Sequence, residues 1–242
     1  MAKWDSNSCF IDCIIEVIQR IVLKETDVAA PKIGSQMDTS LLDLLIEIQQ
    51  NVRCGDYVKG TKLARNYFWA NGMKKGAQND CQVIFHQLTD DSPLTTIFSC
   101  TKEDGKQVKA FEMIRQGESS SLQELFAAQK YIKPSAINLP EFITLNDLVT
   151  AQVTNLQYDY PNTFTAFGYK YDLCARVMAA SQAGGHFNAL IKDKGISYKA
   201  DNMNERLQVI NDEKLYGKAK NTIYVLYKKT ASPASPPASP PF

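Results

Sequence analysis

Asn7-Ser8-Cys9-Phe10-Ile11-Asp12-Cys13-Ile14-Ile15 opens a stretch in which Phe10, Ile14, Val17, Ile18, Ile21 and Val22 recur at helical spacing. A small polar pair precedes a cysteine, and the apolar run begins at once. That places Cys9 at a helix N-terminus, where the first amides lack intrahelical partners. Such amides favour a thiolate, so the Cys9 pKa is expected to fall. The plain alternative is a small buried hydrophobe opening a core helix.

Working outward, the first ninety residues read as helices. Residues 8–24 form the first, followed by a polar connection with Pro31 and Gly34. A second starts near Ser40, a candidate N-cap, and ends at Cys54-Gly55-Asp56. A third covers 60–71 and stops at Asn71-Gly72, and a fourth covers 81–88 with Asp80 as candidate N-cap. Strand patterns then take over: 95–100, 106–114, 142–145, 169–178, 187–192, 196–200 and 222–227, with one short helix at 119–128. Asp104-Gly105 marks a hairpin turn. Helices first and strands later give an α+β chain rather than βαβ alternation. Residues 230–242 carry five prolines among Ser and Ala and read as an extended, disordered tail, a spacer or docking segment.

With 242 residues and 44% hydrophobic content, the chain can bury one large core or two small ones. The 27 basic and 26 acidic residues nearly cancel, so bulk charge gives no argument for nucleic acid or a membrane surface. No apolar run approaches the ~18 residues of a spanning helix, and Met1 to Asp5 has no signal-peptide character. Cysteines at 9, 13, 54, 81, 100 and 174 form no Cys-x-x-Cys pair, and His86 and His186 are the only histidines. A structural zinc site is therefore not expected, and a reducing compartment, cytoplasmic or nuclear, is. No glycine-rich phosphate loop favours a nucleotide enzyme.

The second chemical segment is Gly184-Gly185-His186-Phe187-Asn188-Ala189-Leu190. A hairpin across Asp193-Lys194-Gly195 would return the chain so that Asp201 lies beside His186. Asp201 would then orient one ring nitrogen while the other faces a thiol. Gly184 and Gly185 remove side chains where a substrate backbone must pass. The alternative is a half-buried histidine at a strand edge.

These residues resemble the ubiquitin-specific proteases, papain-like cysteine peptidases with a helical thumb, an antiparallel β palm and fingers. That family's cysteine box reads Asn-Thr-Cys-Tyr-x-Asn-Ser, and Asn7 to Cys13 is similar. Its histidine box reads Gly-Gly-His-Tyr-x-Ala-Tyr and then Trp-Tyr-x-Phe-Asp-Asp. Gly184 to Leu190 and Ser197-Tyr198-Lys199-Ala200-Asp201-Asn202 are similar in order and spacing. Gln78-Asn79-Asp80-Cys81-Gln82-Val83-Ile84 stands where the family has Gln-Gln-Asp-Ala-x-Glu-Phe. Tyr171 to Val177 and Ile223 to Tyr227 resemble the strand before the histidine box and the closing strand. The likeness spans residues 5–229.

The resemblance implies one catalytic domain, 1–229, with Cys9 as nucleophile, His186 as general base and then acid, and Asp201 as the orienting residue. Asn202 falls near the histidine, and Gln78 and Asp80 fall where the family contacts the substrate tail. It implies ubiquitin or ubiquitin-like conjugates as partners, a monomer and no cofactor. Three departures stand out. Trp4 occupies the usual oxyanion-hole Asn position, leaving Asn7 or a backbone amide to donate. Cys100 keeps at most one finger ligand, so reduced, metal-free fingers are expected. Asp12-Cys13 replaces Asn-Ser, as in the SUMO-directed branch, so a SUMO or other ubiquitin-like protease and a catalytically weak ubiquitin-binding module are the rival readings. His86, Tyr158 and Tyr160 read as packing residues, as does Cys13.

Overall fold

The computed structural model describes residues 1–3, 5–28, 39–77, 79–89, 92–102, 107–109, 113–114, 136–138, 140–146, 159–166, 169–181, 184–204, 206–218 and 222–230. Helix α1 (Cys9–Val17) starts at the expected cysteine and widens into a π-helical turn, Ile18–Val22, closed by Leu23 N–H to Ile18 O at 2.8 Å. Helix α2 is Thr39–Arg53. Ser40 therefore lies inside it, one residue past its start, and is not the cap. Helix α3 (Tyr57–Ala70) begins three residues earlier than its aromatic cluster indicated, because Asp56 caps it by accepting from Lys59 N. Helix α4 (Cys81–Thr89) is capped by Asp80, whose Oδ1 accepts from Gln82 N at 2.9 Å.

Strands follow. β1 (Ser99–Lys102) pairs antiparallel with β2 (Gln107–Lys109) and with β4 (Ala136–Asn138). Thr95–Ile97, expected as strand, is a 3₁₀ turn. The eight-stranded sheet is built from β3 (Met113–Ile114), β5 (Phe142–Asn146), β7 (Thr163–Ala166), β8 (Tyr169–Ser181), β9 (Gly184–Asp193), β10 (Ile196–Ala200), β11 (Gln208–Val209) and β13 (Thr222–Thr230). Its order is β11-β10-β9-β8-β13-β5-β3, with β7 also on β8. Only the β3–β5 pair is parallel among the described residues. β6 (Asp159–Tyr160) and β12 (Gly217–Lys218) form a separate pair. The short helix expected at 119–128, the Asp104-Gly105 turn and the tail from 231 onward lie outside the described residues.

Each sheet face has its own packing. Ala175, Val177, Phe187, Ala189, Ile191, Tyr224 and Leu226 join the core formed with the helices, at the period of two that a strand buried on both faces allows. On the opposite face, Phe164 stacks on Tyr171 and meets Tyr227 edge-on. The Tyr227 and Tyr171 hydroxyls donate to Pro161 O and Pro140 O. Tyr160 is buried beneath the Arg176 guanidinium, a packing residue as expected, and Tyr158 lies outside the described residues.

Helix α1 is central. It packs on β9 and β8, on α3 and on α4, and all nine of its residues are buried. Ile14 and Val17 line a small apolar void with Phe85, Ala175, Val177, Tyr224 and Leu226. The side toward α3 is polar. Ser8, Asp12, Glu16 and Gln19 follow one another at i+4 or i+3, so they share a face, and Thr61 and Arg65 answer them from α3. Gln19 Nε2 donates to Thr61 Oγ1 at 3.0 Å, and Arg20 pairs with Glu16 at 2.7 Å while its guanidinium lies over Tyr57. No helix among the described residues is long and apolar enough to cross a membrane.

Candidate active site

Four segments meet at the start of α1. The turn Asp5–Ser8 is closed by Ser8 N–H to Asp5 O at 3.1 Å, and Ser6 and Asn7 both take positive φ, 50° and 59°. Asn tolerates that region better than most residues, because its short side chain bonds locally. Here Asn7 Nδ2 donates to Gly76 O at 2.8 Å, and Gly76 N–H returns a bond to Ser6 O at 3.1 Å. Lys75 adds an ion pair to Asp5 at 3.2 Å. The loop leading to Asp80 and α4 is thereby tied to the turn that presents Cys9. Asn7 acts as this tie, with its amide spent on a carbonyl.

The β9–β10 hairpin supplies the histidine and the carboxylate. Lys194 and Gly195 form its two-residue loop, both with positive φ, as primed turns require. The return brings Asp201 Oδ1 to 2.7 Å from His186 Nε2. Asp201 also accepts from Lys199 Nζ at 2.9 Å and from Met203 N–H at 3.1 Å. Burial pushes the Asp201 carboxyl up, but Lys199, His186 and the Met203 amide outweigh it, and the net direction is down. With Nε2 taken, Nδ1 is the ring nitrogen left for a thiol.

The Cys9 sulfur lies against the main chain that flanks His186. Its thiol donates to Gly185 O at 3.7 Å, and the Phe187 amide faces it, as do those of Cys9 and Phe10. Gly185 adopts φ 101°, in the region that favours glycine. Cys9 is only 5% exposed. Burial pushes its thiol up, the Asp12 carboxylate adds to the rise, and the facing amides pull the other way without prevailing. The expected fall of the Cys9 pKa is thus reversed: desolvation outweighs the helix start. Cys13, one turn on, is buried beside Cys81 and donates to Phe10 O at 3.5 Å, and burial drives its thiol well up.

Of the remaining expected residues, Gly184 pairs with Ser181 at the head of β9. Asp80 is exposed at the start of α4, and Gln78 and Trp4 lie outside the described residues. His86 is half-buried on α4. Asn202, next in sequence after the Asp201 that bonds His186, is buried and turns its side-chain amide to Asp12, Nδ2 donating to Oδ2. Asp12 and Arg65 are what the sequence reading missed. Arg65 Nε and Nη2 grip Asp12 at 2.7 and 2.6 Å, and Ser8 Oγ joins at 2.8 Å instead of capping the helix. The available signal was a polar residue every fourth position in an otherwise apolar helix. Among the described residues, no group of three or more His, Cys, Asp or Glu is placed to hold a metal ion.

No family model matches the sequence, and no curated protein matches it. Solved structures do match in fold. The Ubp8-Sgf11-Sgf73-Sus1 SAGA DUB module superposes with a TM-score of 0.65 at 12% identity, covering 96% of this chain and 67% of that one. The same module bound to monoubiquitin gives 0.63 at 11%, covering 96% and 70%. Bound to ubiquitin aldehyde it gives 0.61 at 11%, again covering 96% and 70%. The helices, the antiparallel sheet and these superpositions together show that the chain has a divergent ubiquitin-specific-protease-like fold.

Proposed function

We propose that the chain is a cysteine isopeptidase that cleaves after the C-terminal Gly-Gly of ubiquitin through a thioester. The observation that carries this reading is the contact of His186 Nε2 with Asp201 at 2.7 Å, next to a thiol seated on Gly185 O. Transfer of the Cys9 proton to His186 Nδ1 generates the nucleophile. Burial holds the Cys9 thiol above its ordinary value, so its proton is taken by His186 at the moment of attack. The thiolate adds to the glycine carbonyl, and the main-chain amides of Cys9 and Phe10 receive the oxyanion at the helix start. His186 then protonates the departing lysine amine, and water activated by the same ring hydrolyses the thioester. Asp201 holds the ring throughout. Gly184 and Gly185 leave room for the tail, and Gln78 and Asp80 contact it, Asp80 through an arginine. Residues 1–229 act as one catalytic unit, nuclear or cytoplasmic, with a short finger region.

A second reading has its own support. Cys9 is nearly closed to solvent and its thiol is bonded to a carbonyl, as suits a ubiquitin-binding module with little activity. Ubiquitin vinyl sulfone separates the two. The peptidase reading expects labelling of the wild type and none of Cys9→Ala. Retained ubiquitin binding without labelling of the wild type would overturn it in favour of the binder. Cleavage of SUMO-coumarin in preference to ubiquitin-coumarin would instead move the substrate to another modifier.

A further inference from the structure

We propose that the buried Asp12–Arg65 pair, with Asn202 and Ser8 on the same carboxylate, is a positioning clamp that locks the helix bearing Cys9 to the turn bearing Asp201. The clamp joins three places in the chain. Asp12 lies three residues after Cys9, one helical turn on. Asn202 directly follows Asp201. Arg65 comes from the middle of α3. Both Asp12 oxygens are engaged: Oδ1 by Arg65 Nε at 2.7 Å, and Oδ2 by Arg65 Nη2 at 2.6 Å, Ser8 Oγ at 2.8 Å and Asn202 Nδ2. The Asp12 and Arg65 side chains are each 4% exposed.

A carboxylate so enclosed and so fully bonded tolerates little displacement, because each donor would be left buried without its acceptor. The nucleophile and the orienting carboxylate are 192 positions apart in sequence, yet each is one short step of covalent chain from this single group. A shift of Asn202 carries Asp201, and with it the His186 ring. A shift of Asp12 carries the first turn of α1 and the sulfur. Burial chiefly raises the Cys9 thiol, and the Asp12 carboxylate adds to that rise. Within the resemblance, amide and carboxylate have changed places. The family pattern has Asn three after the cysteine and a second Asp after the orienting one, where this chain has Asp12 and Asn202. Exchange of the two residues leaves one carboxylate for Arg65 and one amide for it to bond.

The same two helices supply the control. Thr61 bonds Gln19, in the π-helical turn that continues α1, farther along the same seam from Cys9. A clamp that merely fills the seam would behave as they do.

The inference rests on the peptidase reading for its turnover arm and not for its alkylation arm. Full-length wild type, Asp12→Asn, Asn202→Ala, the Asp12→Asn/Asn202→Asp exchange and Thr61→Val are compared well below their melting temperatures. The rate of Cys9 carbamidomethylation by iodoacetamide is followed against pH by peptide mass spectrometry. Asp12→Asn is expected to move the Cys9 midpoint down, and Thr61→Val to leave it in place. With ubiquitin-coumarin, Asp12→Asn and Asn202→Ala are expected to lower kcat by about 10- to 100-fold with KM little changed, as for misplaced reacting groups. The exchange should restore most of that loss. Asn202→Ala leaves the ion pair whole, so it carries the turnover test should Asp12→Asn fail to fold, and Ser8→Ala then carries the alkylation test with a shift of the midpoint. A wild type without turnover sinks the peptidase reading alone, and the midpoints still decide the clamp. If the clamp variants lower only the melting temperature, as expected of Thr61→Val, the clamp is overturned.

Discussion

The two sides of α1 are held by different physics. Toward the sheet and α4, Ile14 and Val17 line a void with Phe85, Val177 and the Tyr224 ring, contacts that are non-directional. Toward α3, Asp12, Glu16 and Gln19 meet Arg65 and Thr61 through bonds of fixed length and angle. Burial on the apolar side contributes to stability wherever the side chains pack densely. A buried ion pair is weak evidence for stability, since desolvation of two charges offsets much of their attraction. What the polar side supplies is geometry: Arg65 fits Asp12 in one orientation only. The helix that presents Cys9 is therefore driven into place by one face and fixed in register by the other.

The largest effect should come from breaking the polar side. Arg65→Met leaves the Asp12 carboxylate buried without its ion partner, and should cost about 3–5 kcal/mol by urea unfolding. Replacing both partners, Asp12→Leu with Arg65→Met, should cost clearly less than Arg65→Met alone. A double variant as unstable as the single would show that the pair does stabilise the fold. On the apolar side, Ile14→Ala enlarges the void beneath α1 and should cost about 2–5 kcal/mol, with the pH dependence of Cys9 alkylation unmoved. A shift of that pH dependence would mean that the two sides are not separable.

The next prediction concerns the thiol. Because burial and Asp12 raise its pKa, alkylation of wild-type Cys9 should reach its midpoint above the ordinary thiol value of about 8.5. A midpoint well below that would show a resting thiolate and return the site to the expectation from sequence. The smallest effect concerns Asp201. Its folded pKa lies below the unfolded value, so its contribution is complete above about pH 4 and fades as pH falls through the folded value. Lys199→Met removes one of the groups that lower it. The acid limb of stability, read by urea unfolding between about pH 2 and 6, should then move upward by an amount worth under about 1 kcal/mol, since Lys199 is partly exposed.

The hairpin carrying His186 and Asp201 was legible because it is local. Lys194-Gly195 dictates a two-residue turn, and the register of β9 and β10 follows from it. The helix at Cys9 was legible from its apolar period, and the α+β order from the change of period near residue 90. Local signals misled where a neighbour outvoted them. Thr95–Ile97 looks extended but turns, with Thr95 Oγ1 bonded to Thr89 O at 2.6 Å. Ser40 reads as a cap, yet α2 begins one residue before it. The two-residue strands β6, β11 and β12 carry no period of their own and exist through their partners.

Residue order alone determined the four main helices and the long strands, and that Asp201 returns to His186, because propensity, period and turn chemistry act over a few residues. It also placed Cys9 at a helix start. The direction of the Cys9 pKa, the capture of Asn202 by Asp12 and the pairing of Asp12 with Arg65 were decided only by tertiary structure. Desolvation and buried charge depend on what else comes within a few ångströms, and those neighbours lie 53 to 190 positions away along the chain.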